Sequence, residues 1–537
     1  MHSSFDPAAG ASPLLLTRLT RRGLIGGAAG SAALIAIGAK GALALPTGLF
    51  TLGVASGYPQ PGGVMLWTRL APQPLQPDGG MPPAIVPVRW EVAEDEHFAR
   101  IVRSGEARAE PGWGHSVHVE ATGLKPARVY YYRFIAGGEK SAVGRTRTAP
   151  AAGSTPERLR FAFASCQKYE AGFYAAYRHM VEDDPDLIVF LGDYIYEADP
   201  NPKEAVRLHL NPEPKDVGGY RVRYATYKRD PLLQAAHQAA PWVMTWDDHE
   251  VANDYADDLD EKNSDPATFL KRRAAAYQVY YEHQPLPAWA LPKGPAMKLY
   301  TAVDWGGLAQ FQIIDDRQYR AHRACQSPEL MARHEQYQVL VAPCGDFDDP
   351  RRTVLGATQE KWLMNQLGTS KATWNVLAQE TLMHKQGRID AAHPEKGPLF
   401  SGDTWSTYPV ARDRIFQRWV EAKTSNPLAI GGDIHAFAAD SIRDPARPDG
   451  APIAAEFVGG SITSLFHDAS FKKQAEANEL VFAENEVRGY GLADLTPKGG
   501  EVRYRGLADA KREDSAISDI ARFTLDPAQP GIHKTLG

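Results

Sequence analysis

Four segments far apart in the chain place ionisable or metal-binding side chains directly after apolar runs. They are Ser165-Cys166-Gln167, Gly192-Asp193-Tyr194-Ile195-Tyr196-Glu197, Trp246-Asp247-Asp248-His249-Glu250 with Asn253-Asp254 just beyond, and Gly431-Gly432-Asp433-Ile434-His435. Together they offer a thiol, carboxylates, a phenol, an amide and imidazoles, a mixed hard and borderline donor set suited to cations. Taken singly, each has a structural reading. A Gly-Asp step after a strand is often a turn closed by an Asx hydrogen bond, Cys166 suits a packed thiol, and His435 suits a hydrogen-bonded core histidine. The run Asp247-Asp248-His249-Glu250 resists that treatment, because four ionisable residues after an apolar run are costly unless solvated, paired or bound to cations.

The elements that must position these groups follow from periodicity. Leu159–Ala164, Leu187–Leu191, Trp242–Trp246, Phe311–Ile314, Trp374–Leu377 and Leu428–Ile430 read as strands, several of them continuously apolar as in strands buried on both faces. Helical spacing near 172–181, 221–238, 268–283, 358–368 and 411–423 separates them, which predicts an α/β architecture. In an open α/β sheet ligands gather outside the carboxyl ends of the strands, so the four segments can converge. Before Pro150 the pattern differs. Short alternating strands at 63–70, 86–92, 116–120 and 129–134, divided by Gly/Pro turns, predict a β-sandwich over 45–150. The Gly123-Leu124-Lys125-Pro126 corner before the tyrosine-rich strand suggests a fibronectin III/Ig-like form. Residues 151–537 then form the second domain, with long polar loops near 200–216 and 322–356 as lids or calcium-stabilised excursions.

The ordered blocks Asp193-x-x-Tyr196, Asp248-His249-Glu250 and Gly432-Asp433-Ile434-His435 resemble those of the calcineurin-like metallophosphoesterases. Phe163-Ala164-Ser165-Cys166-Gln167, Asp315-x-Arg317-Gln318-Tyr319-Arg320 and Leu355-Gly356-Ala357-Thr358-Gln359-Glu360-Lys361-Trp362-Leu363 narrow the resemblance to the PhoD-like alkaline phosphatase/phosphodiesterases. The resemblance implies a four-layer α/β/β/α sandwich and a ferric ion (Fe3+) accompanied by calcium (Ca2+). It assigns Cys166, Asp193 and Tyr196 to the iron side and lets Asp193 bridge to calcium. Asn253, Asp433 and His435 complete the cluster. Asp248 is a further ligand candidate, standing where the wider group usually carries an amide, and Ser165-Cys166 replaces the usual first-block Asp-x-His. In such a site the cations clamp the attacking and leaving oxygens of a phosphoester and lower the pKa of a bound water or hydroxide, the expected nucleophile. His249, ordinarily titrating near 6.5, can steady the transition state or protonate the leaving oxygen. Arg317 can fork onto a phosphoryl oxygen or serve as an ion-pair partner of Asp315 or Asp316.

The remainder of the sequence bounds these readings. At 537 residues, 43% hydrophobic and with a formal charge of −6, the chain is long enough for two or three domains. It lacks the basic excess that sequence-specific nucleic-acid binding needs. Thr20-Arg21-Arg22-Gly23-Leu24-Ile25, a soft apolar run and Ala42-Leu43-Ala44 read as a twin-arginine signal peptide over 1–44. That makes the translocase a partner, the mature protein periplasmic or extracellular, and a stable membrane anchor unexpected, since glycines and a lysine interrupt a run that would need about 20 mainly apolar residues. Of the three cysteines, Cys325 and Cys344 can close a disulfide worth roughly 3 kcal/mol in an oxidising compartment, which leaves Cys166 odd. The reading is a secreted alkaline phosphatase/phosphodiesterase that scavenges phosphate. The alternatives are a purple acid phosphatase-like monoesterase and a non-catalytic secreted protein that binds phosphoryl compounds. The segment from Ser515 has a spacing at Ile517, Ile520 and Phe523 that allows either a short amphipathic helix or edge packing.

Overall fold

The continuously apolar runs become parallel strands. In the computed structural model Leu159–Ala164, Leu187–Leu191 and Pro241–Thr245 lie side by side in a ten-stranded sheet. Ala309–Ile313, Trp374–Ala378, Pro427–Gly431 and Pro452–Gly459 do the same in a seven-stranded one. The structure describes residues 45–536 except 204, 334, 335, 337, 390–392 and 467, so the expected signal peptide lies outside the described residues. The two sheets face each other across one apolar core, where Phe161 meets Phe311 edge to face at 5.1 Å. Helix Ala175–Glu182 and helix Pro231–Ala239 cover the outside of the first sheet, Tyr177 and His237 packing on Trp242. Helices Gly356–Thr369 and Pro409–Ala422 close a separate core with Leu377 and Ala429 outside the second. The layers are therefore α/β/β/α, as expected. The helical stretch read as 221–238 is two helices, Val217–Lys228 and Pro231–Ala239. Asp230 breaks it by accepting from the Leu232 and Leu233 amides, with Pro231 opening the second helix.

The N-terminal segment does form two facing sheets, but they are not self-contained. Val86–Ala93, Ile101–Ala109, Val129–Ala136, Glu139–Lys140 and Gly144–Arg147 make a five-stranded sheet. It packs on Val54–Gln60, Gly63–Arg69 and Ser116–Thr122 through Leu66, Val88, Val92, Tyr132 and Phe134. Those three strands belong to the ten-stranded sheet: Val54–Gln60 runs parallel to Pro241–Thr245, with Ser56 opposite Pro241 and Gly57 opposite Trp242. Residues 45–537 accordingly form one compact unit. Gly57 permits the join, because a Cβ there would stand 2.6 Å from the Trp242 carbonyl oxygen and 2.9 Å from that of Pro285.

At the other edge, Ile517–Asp526 and Gln529–Leu536 are strands, so the helical alternative for the C-terminal segment is replaced by edge pairing. Ile520 is the extra residue of a β-bulge, since Tyr504 pairs with Ala521 and Arg505 with Asp519. That insertion shifts the alternation by one and produces the three-residue apolar spacing that imitates a helix. Cys325 and Cys344 are joined by a disulfide, and Cys166 is free and buried. Among the described residues no helix is long and apolar enough to cross a membrane. Replacing Gly57 by alanine is expected to cost about 1–3 kcal/mol through overpacking, whereas Gly62, around which a Cβ meets nothing within 4 Å, should tolerate the same change within about 0.5 kcal/mol. Thermal or denaturant unfolding of the two variants checks this, and equal losses would sink the close-approach argument.

Candidate metal centre

The carboxyl ends of the two parallel strand sets are tied together by polar bonds across the core. Thr245 Oγ1 donates to the Ile314 carbonyl and to Glu380, each at 2.8 Å. Trp246 Nε1 donates to Asp315 at 3.0 Å, and within the second sheet the Gly432 amide donates to the Glu380 carbonyl at 2.8 Å. At the turns that follow, Cys166, Asp193, Asp433 and His435 all take positive φ, between 54° and 61°. Such backbone is costly for non-glycine residues and collects at functional sites. The turns are fixed by Glu250, whose carboxylate accepts from the amides of Asp193 at 3.0 Å, Tyr194 at 2.6 Å and Asp247 at 2.9 Å.

Two donor groups result. Cys166, Asp193 and His435 form one, and Tyr196 joins it, its hydroxyl donating to Asp193 Oδ2 at 2.7 Å and lying 2.8 Å from His435 Nε2. Asp247, Asp248 and Asp433 form the other, and Asp193, Asp248 and His249 link the two. His435 Nδ1 donates to the Leu465 carbonyl at 3.0 Å, which turns the Nε2 lone pair toward Tyr196 and Asp193. Burial, with the neighbouring His249, pushes the His435 pKa down to about 3, so the ring is neutral and able to ligate. Asn253 follows on the third turn. Its amide nitrogen donates to Glu261 at 2.7 Å and its backbone amide to Glu197 at 2.7 Å, leaving the side-chain oxygen as the donor it can offer.

The electrostatics favour bound cations. Burial raises the carboxyl pKa values of Asp193 and Asp247 well above the ordinary range, and that of Asp433 to about 7, with other carboxylates adding to the effect. Burial first and Asp193 second raise the Cys166 thiol as well, and the same pair raises the Tyr196 phenol. Asp193 Oδ1 and Asp247 Oδ2 are buried without a hydrogen-bond partner among the described residues. An acid-rich set with orphaned oxygens, a thiol and a phenol fits multivalent cations, which lower the pKa of the groups that ligate them.

Arg317, expected either to fork onto a phosphoryl oxygen or to serve as an ion-pair partner, is engaged by carboxylates. Its side chain is 0% exposed. The guanidinium pairs with Asp247 and, at 2.6 Å, with Asp403, and lies 3.6 Å from Asp433. It therefore holds the carboxylates of the second group in place from behind. Asp315 and Asp316, its expected structural partners, are secondary, Asp316 being 3.9 Å away. Asp403 was not legible as part of the site. It gathers Arg317, Arg320 and Arg323 from a loop without motif. Asp247 stands inside the acidic block with nothing in the sequence to mark it from its neighbours, and Glu197 follows Tyr196 with no motif of its own.

His249 is held charged. Burial opposes the charge, but Glu197 at 2.6 Å from Nδ1, with Asp248 and Asp193, raises its pKa well above the ordinary value. Glu197 is correspondingly lowered to about 2, His249 outweighing its burial. With Nδ1 bound to Glu197, the second N–H is available on the cavity that His249 lines together with Tyr196, His435 and Lys168.

Buried ligand candidates at strand ends between two facing sheets, beside a cavity that His249 lines, form a candidate metal centre. The PhoD-like phosphatase family matches residues 161–504, and its N-terminal domain family matches 39–150. Alkaline phosphatase D of Bacillus subtilis (strain 168) is 44% identical over 496 residues, covering 90% of this chain and 82% of the relative. A solved structure titled "Structure of PhoD" superposes with a TM-score of 0.84 at 43% identity, over 91% of this chain and 92% of that one. The chain belongs to the PhoD-like phosphatase family and is a phosphoric ester hydrolase.

Replacing Glu197 by glutamine removes the largest influence that raises His249. The imidazolium then loses its proton at lower pH, so the alkaline limb of the kcat/KM–pH profile is expected to move down by at least about one unit. A limb that stays in place would show that His249 does not act through its charge.

Proposed function

We propose that this chain is an exported, metal-dependent phosphodiesterase and phosphomonoesterase that releases phosphate from extracellular esters. The observation that supports this best is the pair of linked donor groups, thiol, phenol and imidazole on one side and carboxylates on the other, beside a cavity of about 230 Å³. We infer that Cys166, Asp193, Tyr196 and His435 hold Fe3+, anionic sulfur and phenolate oxygen suiting a trivalent ion. Asp248, Asp433 and Asn253 would offer the oxygens that Ca2+ takes, with Asp193 belonging to both donor sets. When bound, these cations neutralise the ester's charge and lower the pKa of the attacking water.

The chain's own residues do the rest. The Glu197–His249 pair presents a proton toward the cavity, placing His249 to donate to the leaving oxygen as the ester bond breaks. Arg317 keeps Asp247 and Asp433 in register with one another, so its removal disturbs the ligand geometry rather than a substrate contact. Tyr196 spans the groups, its ring 4.1 Å from the His249 ring and its hydroxyl on Asp193. The twin-arginine route suits a metal cluster assembled before export, because that route carries folded proteins.

The natively exported protein is expected to hydrolyse bis(4-nitrophenyl) phosphate, to lose turnover on calcium chelation and to regain it with added calcium. Asp193→Asn should lower metal content, read by elemental analysis, and reduce kcat/KM at least about a hundredfold. A folded, metal-loaded protein that binds phosphoryl compounds without turnover would instead support the binding-protein alternative.

A further inference from the structure

We propose that Lys168 sets the substrate preference of the cleft by binding a second anionic group, such as a carboxylate or another phosphate, carried on an alcohol arm of the ester. This rests on the phosphoesterase reading above and concerns the part of the substrate that lies outside the metal cluster.

The cations around the site divide sharply. Arg317, Arg320 and Arg323 converge on Asp403 at 2.6, 3.0 and 3.3 Å, with side chains no more than 2% exposed. Arg488 is also buried and donates to the His435 carbonyl at 2.7 Å and to Ser461 at 3.1 Å. All four are committed to holding the fold of the site. Lys168 is partly exposed, lines the 230 Å³ cavity beside Tyr196, His249 and His435, and has no carboxylate within ion-pair distance among the described residues.

Glu170, the carboxylate lining the same cavity, is bonded by other groups and not by Lys168. Its Oε1 accepts from the Asn201 and His209 amides at 3.1 and 3.3 Å, and its Oε2 lies 3.4 Å from His209 Nδ1. These bonds hold Asn201 and His209 beside the cavity, whose wall Ala198, Asn201 and Ala205 help to form. Lys168 is thus a cation on this wall that no carboxylate among the described residues holds.

The position of Lys168 suits a distal group. Its amide donates to Ser464 Oγ at 3.2 Å and its carbonyl accepts from Thr463 Oγ1 at 2.8 Å, which anchors the main chain. The ammonium stands over the Tyr196 ring, 5.9 Å from its centroid, while the hydroxyl of that ring contacts Asp193 and His435. Lys168 is thus one aromatic ring away from the ligand cluster, at the reach of a substituent on an ester whose phosphoryl group lies on the cluster. A compact ammonium makes a point-charge contact with an anion of either kind.

The test compares 4-nitrophenyl 4-carboxybenzyl phosphate with 4-nitrophenyl benzyl phosphate on the metal-loaded exported enzyme, wild type, Lys168→Met and Lys168→Arg. The wild type is expected to favour the carboxylate-bearing ester. Lys168→Met should lower the ratio of the two kcat/KM values about tenfold, and Lys168→Arg should keep it within about threefold. Calorimetric titration with 4-carboxybenzylphosphonate and benzylphosphonate should give the same change in ratio without turnover. Hydrolysis of both esters with a ratio that Lys168→Met leaves within twofold overturns this inference alone. An enzyme that hydrolyses neither ester overturns the phosphoesterase reading and the inference with it.

Discussion

Asp193, Asp247, Asp248 and Asp433 are buried together where two sheets meet, and buried like charges are tolerated only when neutralised. Both oxygens of Asp248 accept from backbone amides, whereas Asp193 Oδ1 and Asp247 Oδ2 have no hydrogen-bond partner among the described residues. Arg317 supplies one compensating charge from behind. His249 supplies another, and cations at the candidate metal groups would supply more, a demand that much of the surrounding architecture serves. Glu250 ties three amides to fix the turns. The cross-sheet bonds of Thr245 and Trp246 bring the two strand sets to a common end, and four candidate ligands occupy left-handed backbone that the surrounding packing enforces.

The same constraint orders the imidazoles. His435 is neutral and His249 charged, although both line one cavity. Burial and the neighbouring His249 lower His435, whereas for His249 the Glu197 carboxylate on Nδ1 and nearby carboxylates outweigh burial. One ring is thereby favoured as neutral and the other as charged, a division set by burial and by the Glu197 carboxylate.

Much of this was legible in the sequence, and the losses have physical causes. The strand ends stood out because runs such as Leu187–Leu191 carry no alternation and stop abruptly at ionisable residues. The role of Arg317 was hidden because its partner Asp403 lies 86 residues away in a loop without motif. Periodicity registers which face of a strand is buried, and it cannot register which sheet the strand joins. The continuity of Val54–Gln60 with Pro241–Thr245 was therefore invisible, although Gly57 carried a trace of it. At the C-terminal edge, one bulged residue at Ile520 was enough to give a strand the spacing of a helix.

The central claim is that Cys166 and Tyr196 belong to a metal centre and are not merely packed core groups. Anomalous diffraction from crystals of the natively exported protein, collected on both sides of the iron absorption edge, tests it most directly. The account predicts an iron peak within bonding distance of Cys166 Sγ, Asp193, the Tyr196 hydroxyl oxygen and His435 Nε2. A fully ordered site with no anomalous peak there, or a peak bonded to the carboxylates while the Cys166 thiol stays unligated, would contradict it.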